Sequence, residues 1–112
     1  MNQDQTDRNP GLETTVDEVV RGLHDGAIQI IDVREPDEWD EGRIAGSVLM
    51  PMSDFANRVG EIDPAIPIVT VCRVGGRSLY IAEALTEAGF PNVKSMAGGM
   101  NAWMAAGQPV EV

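Results

Sequence analysis

The apolar positions of the chain change period as they are followed from one end to the other. From Thr15 the spacing is helical: Val16, Val19, Val20 and Leu23 fall at i, i+3, i+4 and i+7. Thr15 and Glu18 form a candidate capping box, and Gly26 is placed to close the helix. Residues 28–33 are a short, mostly β-branched run of the kind expected of a strand covered on both faces, with Asp32 interrupting it near its end. Residues 35–42 predict a short helix, with Pro36 at its first position, Asp37 and Glu38 in the first turn and Gly42 at the stop. A second strand is expected over 47–50, ending at Pro51. Ser53 then offers a cap for a brief helix that carries Phe55 and Val59 inward.

The third run, 68–71, is entered through Pro67 and leads directly into Cys72, Arg73, Val74, Gly75, Gly76, Arg77 and Ser78. An amphipathic helix follows, with Ile81, Ala82, Leu85 and Ala88 as its apolar stripe, Glu83, Thr86 and Glu87 on the wet side, and Gly89 and Pro91 as the stop. After a strand over 93–96, Gly98 and Gly99 open a last helix with Met100, Trp103 and Met104 on one side. Gly107 and Pro109 end it. Strands that alternate with helices imply parallel pairing and right-handed crossovers, hence a small open α/β sheet with helices on both faces. No internal repeat or linker interrupts it.

Residues 1–11 are polar and without hydrophobic period, which reads as a flexible tail, and residues 12–112 read as one domain. With 112 residues, 43% of them hydrophobic, the chain can build one core and not two. No stretch approaches the roughly 18 uninterrupted apolar residues of a membrane span, and the start lacks the apolar segment of a signal peptide, so a cytoplasmic location without membrane contact is expected. A formal charge of -10 opposes binding to nucleic acid. One cysteine and one histidine cannot make a disulfide or a soft-ligand zinc site, so no metal and no cofactor are expected.

Chemistry concentrates in 72–78. Cys72 falls at a strand end, where ligand sites of open parallel sheets lie, and the following helix begins with amides that have no intrahelical partner. Gly75 and Gly76 permit successive N–H groups to turn inward as a nest for an anion, flanked by Arg73 and Arg77. A free cysteine with a pKa of about 8.5 is mostly protonated at neutral pH, whereas helix N-termini and neighbouring arginines favour the thiolate. The same donors suit the anionic sulfur of a persulfide without a histidine base; His24 belongs to the end of the first helix. A lone cysteine in a cytosolic protein is more often a small buried hydrophobe. Two glycines and two arginines within five residues of it, between a strand and a helix, are hard to explain by packing. Trp39, Trp103 and the methionines read as packing residues rather than a cofactor site.

These residues resemble the rhodanese-like domains, whose active loop runs Cys, two variable residues, Gly, one variable residue, Arg, Ser. Residues 32–39, 42–47 and 98–103 are also similar to that family, and the likeness spans nearly all of the chain after the tail. Arg43 stands where the family usually has His. The resemblance implies a five-stranded parallel sheet between helices and a sulfurtransferase in which Cys72 accepts sulfur as a persulfide. The loop amides from Arg73 to Ser78 would cradle that sulfur. Arg73 and Arg77 are available for an anionic donor; for Arg77 the alternative is to bond a carboxylate or carbonyls and hold the loop. Asp32 and Arg34 have a supporting part, since an acid at a buried strand end requires a partner.

Thiosulfate or a protein persulfide is the implied donor, and cyanide, a small thiol or a thioredoxin-like protein the acceptor. A monomer is the default, since no exposed apolar face is evident. A persulfide in an exposed loop would be open to oxidation. Two other classes compete: a non-enzymatic binding or sulfur-carrier module, and the phosphatase or arsenate-reductase branch that resembles the same fold. The latter places five residues between Cys and Arg; here there are four, a cradle for a smaller anion.

Overall fold

The computed structural model describes residues 10–112. The greater part of the expected tail, residues 1–9, lies outside the described residues, while residues 10–12 form a single 3-10 turn. Five strands follow: β1 (Glu13–Thr14), β2 (Gln29–Asp32), β3 (Val48–Leu49), β4 (Ile68–Val71) and β5 (Val93–Met96). Between and after them lie α1 (Val16–His24), α2 (Pro36–Glu41), α3 (Phe55–Arg58, between two 3-10 turns), α4 (Gly76–Glu87) and α5 (Gly99–Ala105). The strands form one sheet in the order β1-β5-β4-β2-β3, and every pairing is parallel. Among the described residues no helix is long and apolar enough to cross a membrane.

Alternation along the strands divides the core into two layers. Ile31, Val33, Ile68 and Val93 face one side, where Ile81, Ala82 and Leu85 of α4 and Phe55 of α3 cover them. Ile30, Val69, Val71 and Met96 face the other side, against Val19 of α1 and Met100 and Trp103 of α5. The helices therefore shield both faces, and the central strands β2 and β4 read as largely apolar runs because both of their faces are covered.

Several local expectations are corrected. The apolar runs mark four strands; β1 has only two residues, Glu13 and Thr14, and is defined by its register with Ser95 and Met96 on β5. At α1 Thr15 accepts from the Glu18 N–H, and the Glu18 carboxylate, held low in pKa by the Thr14 hydroxyl and the Thr15 N–H, accepts from Thr14 Oγ1 at 2.7 Å. A reciprocal box forms at α2, between Glu35 and Glu38. Ser53 caps nothing; its hydroxyl donates to Glu35 Oε1 at 2.7 Å. Ala88 is the exposed C-cap of α4, and Met104 is exposed near the end of α5.

The order of strands creates a crevice. From β2 the chain runs through α2 to β3 on one side, whereas from β4 it runs through α4 to β5 on the other. The two connections diverge above the carboxyl ends of β2 and β4, the switch point at which parallel sheets bind ligands. Asp32 ends β2 there, and Cys72 follows β4.

Candidate active site

Cys72 is the first residue after β4 and is fully buried. Residues 72–75 turn over its own sulfur: the Gly75 N–H donates to Cys72 Sγ at 3.1 Å and the Ser78 N–H at 3.4 Å, with the Ser78 hydroxyl 3.3 Å away. The turn depends on Gly75, whose φ of 108° lies where side chains are strained and whose missing Cβ would sit 3.3 Å from the Gly98 nitrogen. Burial pushes the Cys72 thiol up, but the Ser78 hydroxyl and the N–H groups of Ser78, Gly75 and Val74 outweigh it and leave the thiol below its ordinary value. The donors that favour the thiolate are thus mainly uncharged. The sulfur is covered by the loop.

Two helix N-termini meet at this loop. α4 starts at Gly76 and supplies the Ser78 amide, while α5 approaches from the other layer and donates from Met100 N to the Cys72 carbonyl at 2.8 Å and from Asn101 N to the Arg73 carbonyl at 3.0 Å. Only glycine allows this approach. A Cβ on Gly99 would fall on the Cys72 carbonyl oxygen and 2.6 Å from the Arg73 carbonyl, and its φ of 57° is left-handed.

The flanking arginines converge on the Glu38 carboxylate, with Arg73 also 3.8 Å from Glu41 Oε1. Arg77 forms a two-pronged pair with Glu38, Nη1 to Oε1 at 2.8 Å and Nη2 to Oε2 at 2.9 Å, and Arg73 Nε donates to Glu38 Oε2 at 3.2 Å. The Arg77 fork lowers the Glu38 pKa to about 2; partial burial opposes this, and the Glu35 N–H and both arginine charges reinforce it. Of the two roles open to Arg77, the resting structure therefore shows the structural one.

Asp32 and Arg34 pair with each other below the site. Both are buried, and the Arg34 guanidinium holds the Asp32 carboxylate through Nε at 3.0 Å and Nη2 at 2.8 Å. Two further Arg34 N–H groups donate to the carbonyls of Glu38, at 3.2 Å, and Gly42, at 2.8 Å. The pair thereby ties α2, and with it Glu38, to the end of β2. Neither residue touches the sulfur.

The seven loop residues 72–78 are thus together, with Val74 exposed at the tip and Gly76 opening α4. Trp103 is buried and its Nε1 donates to the Pro109 carbonyl; Trp39 lies under the Arg43 guanidinium, 5.0 Å from its carbon. A groove lined by Val20, Leu23, Ala45 and Trp103 shares no residue with the loop.

Fold and site define a class: a parallel α/β domain with one cysteine sulfur held by backbone amides and a serine hydroxyl at the switch point. The rhodanese-like domain family matches residues 15–106, and the chain belongs to that family. It is 33% identical over 92 residues to the thiosulfate sulfurtransferase GlpE of Shewanella oneidensis, covering 82% of this chain and 91% of that protein. It is 38% identical over 79 residues to GlpE of Pseudoalteromonas translucida, covering 70% and 75%. A rhodanese-related protein from Thermoplasma volcanium has a similar structure, with a TM-score of 0.83 and 27% identity over 88% of this chain and 96% of that one. A sulfurtransferase or sulfur-carrier role is what family and relatives support.

Proposed function

We propose that the protein is a sulfurtransferase that carries sulfur on Cys72 as a persulfide. The observation that carries this reading is the ring of N–H and O–H donors closed on the Cys72 sulfur, which lowers its pKa with no general base at hand. The thiolate attacks the outer sulfur of thiosulfate or of a protein persulfide. The S–S bond of the donor breaks and its electron pair leaves with sulfite or with the donor thiolate. An acceptor, whether cyanide, a small thiol or the thiol of a thioredoxin-like protein, then attacks the outer sulfur of the Cys72 persulfide, and the Cys72 thiolate leaves with the bonding pair. The cycle needs no metal or cofactor, and a thiol that must return to its reduced form suits the cytoplasm. The domain acts as a monomer in this reading.

Parallel double-reciprocal lines with varied donor and acceptor are expected, as for any ping-pong reaction. Converging lines would show that donor and acceptor must be bound together and would overturn the covalent cycle. A phosphatase reading is less well supported, because four residues separate Cys72 from Arg77 and that arginine is held by Glu38. Hydrolysis of an aryl phosphate by the wild type above the level of Cys72→Ser would reverse the ranking.

A further inference from the structure

Ser95 lies on β5, fully buried, and does not contact the sulfur. Its hydroxyl is 2.7 Å from the Ser78 hydroxyl, which in turn is 3.3 Å from Cys72 Sγ. The three side chains form a buried row that runs from the middle of the sheet to the reactive atom. A serine hydroxyl has one proton to give and two lone pairs to fill, so the direction of each bond in such a row constrains the next.

Among the described residues, Ser78 is the only hydrogen-bond partner of the Ser95 hydroxyl. The buried Ser95 proton is therefore satisfied by donation to Ser78 Oγ, which occupies one Ser78 lone pair and leaves the Ser78 proton free to point elsewhere. Two acceptors lie within reach of that proton: the Gly75 carbonyl, at 3.3 Å, and Cys72 Sγ. The Gly75 carbonyl already accepts from the Leu79 N–H at 3.1 Å. The Ser78 backbone carbonyl is likewise engaged, by Thr70 Oγ1 at 2.8 Å, which holds the residue in place. Of the two, a sulfur that carries a full negative charge attracts the proton more strongly than a neutral carbonyl, and a hydroxyl that is itself accepting a bond donates more strongly.

We infer that Ser95 is a positioning residue of the sulfur-transfer site: by donating to Ser78 it aims the Ser78 proton at Cys72 and favours the thiolate. The inference rests on the reading of Cys72 as the nucleophile. The charged groups around the sulfur are not altered by changing Ser95. Arg77 acts on Cys72 through its charge, and Arg73, Glu38 and Glu35 surround Arg77. The packed helix α5 carries no charged residue, and the Asp32 and Arg34 pair closes on itself.

The test is a pH titration of thiolate ultraviolet absorbance in wild type, Ser95→Ala, Ser95→Thr and Ser78→Ala, with Cys72→Ser as the baseline; Cys72 is the sole cysteine, so the signal is unambiguous. Loss of the aligning bond should raise the midpoint in Ser95→Ala by about half to one pH unit, with a rise at least as large in Ser78→Ala. Ser95→Thr keeps the hydroxyl and should titrate near the wild type. An unchanged midpoint in Ser95→Ala would overturn the inference, and so would equal shifts in the Ala and Thr variants, since packing alone would then be responsible. Thermal unfolding identifies any variant that fails to fold, in which case Ser95→Thr against Ser78→Ala decides by the same criterion. No sulfur donor enters this experiment. A chain with the predicted midpoints that never takes up sulfur would refute the transfer reading and leave the role of Ser95 in place.

Discussion

Replacing Glu38 by Gln removes the charge that holds Arg73 and Arg77 over the loop while keeping the shape of the side chain. A fall of the carboxyl from 4.5 to about 2 corresponds to roughly 3 kcal/mol at most of folded-state preference for the charged form. Arg77 and Arg73 are a third or more exposed, so solvent screening reduces the loss expected in Glu38→Gln to about 1–2 kcal/mol. Because the folded pKa is depressed, this stabilisation is complete above the ordinary value of 4.5 and is lost as pH falls toward about 2. Urea unfolding, followed by the fluorescence of Trp39 and Trp103, should show a lower midpoint for the variant at neutral pH. The gap between the two proteins should narrow steadily through the acid range. Equal stability at neutral pH, or a gap that does not change with acid, would refute the assignment of Glu38 as the charged clamp of the loop.

Gly99→Ala should cost about 3 kcal/mol, combining left-handed strain with disruption of the amide bonds to the Cys72 and Arg73 carbonyls, and thermal unfolding would report it. Melting within a degree or two of wild type would show that α5 can back away freely. Arg34→Met strands the buried Asp32 carboxylate and leaves the Glu38 and Gly42 carbonyls without their donor; a loss of about 3–5 kcal/mol in urea unfolding is expected, and a near-neutral result would contradict the buried ion pair.

How much of this was legible in the sequence depended on whether the determinant was local. The β2 and β4 runs are largely apolar because both faces are buried, and the runs alone reveal them. β1 has no such signal, since its two polar residues are strand only by virtue of the register with β5. The 72–78 loop is contiguous, so its glycines, arginines and cysteine announce a nest. Glu38 appears in the sequence only as an acid in a first helical turn, and its pairing with Arg77 spans 39 positions. Ser95 carries even less signal: a single serine in a strand becomes informative only when β5 lays it beside Ser78. Gly98 and Gly99 are readable as a helix start, but the reason for Gly99 is the Cys72 carbonyl in a different element. The reciprocal box at α2 runs between two glutamates, Glu35 and Glu38, a pairing that the usual Ser/Thr-to-Glu pattern does not announce.

The most direct measurement is the intact mass of the purified protein after treatment with thiosulfate or a persulfide donor, beside Cys72→Ser, before and after addition of cyanide or a reduced thiol. One added sulfur on the wild type alone, removed by the acceptor, is the expected result. No gain with any donor, or an equal gain on Cys72→Ser, would contradict a persulfide cycle on Cys72.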